Sequence, residues 1–66
     1  MEVTDEELAI AKYIQSSLAV NTRLDEAMIR SVAKILAVSA GVSDPRFDAI
    51  FQAAKNPKIK FVRKPN

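Results

Sequence analysis

At 66 residues the chain has room for one domain and buries little of its surface, so it is marginal alone. It contains no cysteine and no histidine, which excludes disulfides, thiolate metal sites and the commonest transition-metal ligand, and leaves close helix packing or self-association as the means of stabilisation. A net charge of +2 with 48% apolar residues excludes general disorder.

The first segment, Met1-Glu2-Val3-Thr4-Asp5-Glu6-Glu7, is acidic where a secretory signal is basic. No apolar run approaches the roughly 20 residues of a membrane span, and a cytoplasmic location is expected. Thr4 and Glu7 form a capping box, and three acids in the first turn suit the positive end of a helix dipole. Leu8, Ala11, Ile14 and Leu18 follow at helical spacing with Ile10 beside them, and Asn21-Thr22 interrupts. Tyr13 falls off this stripe, on a wide core or a dimer face.

A second helix is expected from Thr22-Arg23-Leu24-Asp25, another candidate capping box, to about Ala40, with Gly41 as its C′ residue. Leu24, Met28, Val32, Ile35 and Ser39 line one stripe, widened by Ile29 and Leu36. Glu26, Arg30 and Lys34 lie on the far side as a solvated charge ladder. So wide an apolar face predicts a central helix touched by two neighbours, or by a second copy.

The third helix is expected to open with Asp44 as N-cap and Pro45 at its first helical position. Phe47, Ile50, Phe51 and Ala54 form its apolar face, and Asn56-Pro57 ends it. In Lys58-Ile59-Lys60-Phe61-Val62-Arg63-Lys64, apolar residues alternate with cations, as in a short strand or extended arm. The fold expected is all-α: a three-helix domain over residues 1–56 with a helical hairpin at Gly41, and a basic arm over 57–66. Residues 1–54 carry five basic and eight acidic side chains, net −3, whereas residues 55–66 carry five basic and no acidic ones.

Catalysis finds little support. The usual base and the best nucleophile are missing, and the serines have no evident activating partner. Asp44 and Asp48 are explained as helix-start acids. No catalytic residue, metal ligand, cofactor or small-molecule substrate is assigned.

The segment Ile35-Leu36-Ala37-Val38-Ser39-Ala40-Gly41-Val42-Ser43-Asp44-Pro45-Arg46-Phe47-Asp48-Ala49-Ile50-Phe51 resembles a helix-turn-helix. Ala37 permits a close crossing, Gly41 supplies a positive φ, Val42 plugs the angle, and Phe47 and Ile50 close the core. The resemblance implies that Arg46 and Gln52 read bases, with Lys55, Lys58, Lys60, Arg63 and Lys64 on phosphates. Asp44 and Asp48 on the same helix oppose that use. The leading expectation is instead a non-enzymatic module, adaptor, inhibitor or homodimer, bound to a protein partner or to itself. Its contacts are expected at Tyr13 and at Lys58, Ile59, Lys60, Phe61, Val62 and Arg63 of the arm. Small regulators encoded by phages and plasmids share this size and composition.

Overall fold

The computed structural model describes residues 1–20 and 25–65. It is mostly helical: three helices with a two-strand parallel sheet. The elements run β1 (Glu2–Val3), α1 (Asp5–Val20), α2 (Glu26–Ser39), α3 (Asp44–Ala54) and β2 (Val62–Arg63).

Local chemistry accounts for each helix end. The Thr4 amide donates to Glu7 Oε1 at 2.9 Å, and the Glu7 amide donates back to Thr4 Oγ1 at 3.2 Å, the reciprocal capping box. Asp25 caps α2, its Oδ1 accepting from the Ala27 amide at 3.0 Å. Asp25 is thus the N-cap itself and not the third helical residue of the expected capping box, whose other members lie outside the described residues. At the other end of α2 the Gly41 amide donates to Val38 O at 3.1 Å and the Val42 amide to Ala37 O at 2.9 Å. That pair of bonds is a Schellman motif, and Gly41 takes the φ of +74° that it requires.

Ser43, and not Asp44, caps α3: its hydroxyl accepts from the Arg46 amide at 3.4 Å. Asp44 is thereby the first helical residue and Pro45 the second, each one place further into the helix than expected, and the Asp44 carboxylate is free to reach α2. After α3, Asn56 Oδ1 accepts from the Lys58 amide at 3.0 Å, turning the chain over Pro57.

The core joins Ile10, Ala11 and Ile14 of α1, Ile29, Ala33 and Ala37 of α2, and Phe47, Ile50, Phe51 and Ala54 of α3. Each helix touches the other two: α2 meets both α1 and α3, as its wide stripe predicted, and α1 packs on both α2 and α3 as well.

The face that α2 buries is also not the expected one. Ala33 and Ala37 are 0% exposed, whereas Met28, Val32 and Ile35 of the expected core stripe lie outside. The alanines admit a close helix approach that branched side chains would prevent. The rotation also moves the charge ladder off the far side. Glu26, Arg30 and Lys34 meet Lys55 at the C-cap of α3 and Asp48 and Asp44 within it, in an antiparallel run of ion pairs, opposite charge against opposite charge. Arg30 lies 5.1 Å from the ring centroids of both Phe47 and Phe51, and Lys34 lies 5.1 Å from that of Phe47. Exposed pairs of this kind contribute at most about 1 kcal/mol each. Their larger effect is to set how α2 is turned relative to α3.

The arm is stitched to its own chain. Val62 pairs with Glu2 and Arg63 with Val3. The Val62 amide donates to Met1 O at 2.9 Å, the Lys64 amide to Val3 O at 2.7 Å, and the Met1 amino group to Lys60 O at 2.9 Å. Gln15 Nε2 of α1 donates to Ile59 O at 3.3 Å. Phe61 packs on the core and Val3 is fully buried. Two residues at Glu2-Val3 carry no strand pattern of their own, so only the assembled fold reveals the arm's partner.

Candidate functional site

Two surfaces stand apart from the rest of the molecule, one polar and one apolar. The polar one is a cleft of about 340 Å³ lined by Glu2, Thr4, Glu7, Arg46 and Lys64. At its base Arg46 Nε donates to Glu7 Oε2 at 2.8 Å and Nη2 donates to Glu7 Oε1 at 3.1 Å. The same Nη2 donates to Glu2 O at 2.8 Å. Glu7 is only 7% exposed. The Arg46 hydrogen bonds hold its carboxyl below the ordinary value of 4.5, against the opposing effect of burial and with help from Thr4. Glu7 in turn raises Arg46. With its donors turned toward Glu7 and Glu2, Arg46 works as a tie between α1, β1 and α3.

The apolar surface is the outer half of α2. Met28 is 56% exposed, Ile35 66% and Val38 64%, with Val32 and Leu36 also open to solvent. Ala27, Ser31, Ser39 and Ala40 lie exposed among them. Every charged side chain of α2 itself, namely Glu26, Arg30 and Lys34, is on the opposite side, in the α3 seam. A helix facing water ordinarily carries charge there; an uncharged outer face is typical of a helix covered on both sides. Beside this face, between α1 and α2, runs an apolar groove of about 230 Å³ lined by Glu6, Ala9, Ile10, Leu36 and Ala40.

The residues expected to bind a partner are dispersed. Tyr13, Ile59 and Phe61 are half-buried, the first and last packed against the core. Val62 is exposed but its backbone is committed to β1. Arg63 Nε lies 3.3 Å from Asp5 Oδ1, and Lys55 Nζ lies 3.2 Å from Glu26 Oε1. Gln52 is exposed on α3. Lys58, Lys60 and Lys64 are exposed and have no carboxylate partner among the described residues.

Periodicity places Met28, Val32, Ile35 and Leu36 on one apolar face, for two neighbouring helices or a second copy, and gives Val38 no role. The signal that distinguishes the two faces is present in the sequence: Ala33 and Ala37 form a second stripe of small residues with Ile29, bordered by Arg30 and Lys34. Among the described residues no group of three or more acidic side chains is placed to hold a metal ion. No described helix is long and apolar enough to cross a membrane. The chain matches no protein-family model, no curated protein and no solved structure.

Proposed function

We propose that the chain is a non-enzymatic protein-interaction module that docks through the outer face of α2. The observation that carries this reading is the row of exposed Met28, Val32, Ile35 and Val38 on a helix whose charges all face the other way. The arm supports the fold that presents this face. A cytoplasmic location belongs to the same reading.

Photocrosslinking in the native host tests it. A benzoylphenylalanine at Ser39, on the outer face of α2, is compared with one at Gln52, on the outer face of α3. Protein adducts are expected from Ser39, to the chain itself or to another protein, and not from Gln52. Absence of adducts from Ser39 overturns the reading. A nucleic-acid role would rest on Lys58, Lys60 and Lys64, which are exposed and have no carboxylate partner among the described residues. Retention on a DNA column that falls steeply from low to physiological salt would favour it.

A further inference from the structure

We infer that the outer face of α2 is covered by a second copy of the chain, the two α2 helices packing antiparallel about a two-fold axis. This rests on the docking reading and names its occupant.

Three observations support a second copy. The first concerns charge. A two-fold interface brings one surface against itself, so any charge near its centre meets its own kind. Between Ala27 and Ala40 the outer half of α2 presents only Ala, Met, Ser, Val, Ile and Leu. That face meets its own copy without repulsion.

The second concerns shape. In an antiparallel pair centred on the middle of α2, Ile35 lies over the partner's Ser31 and Met28 over the partner's Val38. Large side chains then sit against smaller ones on both sides of the axis. The same arrangement directs the partner's Met28 toward the Leu36 and Ala40 end of α2, where the apolar groove opens beside the face. A flexible thioether suits such an irregular gap.

The third concerns size. A 66-residue domain with neither cysteine nor histidine is marginal alone, and small domains of this kind often gain stability by pairing.

Sedimentation equilibrium of the full chain between 5 and ~200 µM tests the proposal, concentrations that bracket the micromolar dissociation constants of modest interfaces. The expected mass is twice 7.3 kDa at the upper end. Ile35→Lys buries an ammonium over the partner's Ser31 and is expected to weaken pairing by about 100-fold. Its circular dichroism should be unchanged, because Ile35 supports nothing in the core. Register is read separately. The chain has no cysteine, so an equimolar mixture of Ser31→Cys and Ile35→Cys chains should oxidise mainly to the mixed dimer. A one-chain mass at ~200 µM, or pairing untouched by Ile35→Lys, overturns the second copy. If Ser39 adducts to another protein persist in that case, the docking reading stands; if they are absent, both fall. Equal yields of like and mixed disulfides overturn the antiparallel register.

Discussion

The Arg46 guanidinium takes both oxygens of the Glu7 carboxylate, at 2.8 and 3.1 Å, across 39 residues of sequence. Because the same guanidinium also holds Glu2 O, one side chain fastens α3 to α1 and to β1. Arg46→Met should therefore cost about 2 kcal/mol in urea unfolding, less than a fully buried pair because part of the arginine remains in water. Arg46→Lys should recover little of it, since an ammonium cannot span two carboxylate oxygens and a carbonyl. A loss below ~0.5 kcal/mol would show that the tie contributes no more than an ordinary surface pair.

The same pair sets an acid limb on stability. Glu7 has a folded-state pKa below its ordinary 4.5. Its contribution is fully present above 4.5, and falls away as pH drops through the lower folded value. Thermal unfolding followed from pH 7 downward should show Tm falling in that acid window. Glu7→Gln should start lower and fall less steeply there. Parallel curves for the two proteins would remove Glu7 as the cause.

The turned face of α2 is tested by neighbours in sequence. Ala33 is fully buried and Val32 is not. Ala33→Leu should overpack the α1 contact and cost about 1–3 kcal/mol. Val32→Ala, measured in dilute solution, should change monomer stability by less than about 0.5 kcal/mol. The reverse ranking would restore the stripe expected from periodicity.

Gly41 is required for its backbone. A Cβ placed there meets nothing within 4 Å, so no clash enters the comparison. Gly41→Ala should still cost about 1 kcal/mol, the penalty of a left-handed φ for a residue with a side chain. Gly41→Asn should cost less, since asparagine tolerates that region. Equal stabilities of all three in urea titrations would contradict the Schellman geometry.

Features settled within one turn of chain were legible in the sequence. The Thr4–Glu7 box and the Gly41 stop depend on bonds between near neighbours, and both form as expected. What periodicity misjudged depends on distant partners. The stripe of α2 was chosen by side-chain size, but close packing against α1 selected the alanines, and Asp44 and Asp48 drew Lys34 and Arg30 inward. Arg46 looked like a surface cation because Glu7 is far away in sequence. The arm reads as a strand in need of a partner, and its partner within the chain is illegible because that strand is only two residues long. The width of the apolar face of α2 already allows a second copy to cover it; which side of the helix is left for that copy depends on the packing against α1 and α3.

The pairing of β1 with β2 also determines how the molecule responds to mechanical load. The strands are parallel and lie near opposite ends of the chain, so tension between residues 1 and 65 pulls them past each other along their length. The bonds from Met1, Val62 and Lys64 are then sheared together instead of unzipped in turn. The three helices lie between the two strands in sequence and remain shielded from stretching until that latch gives way.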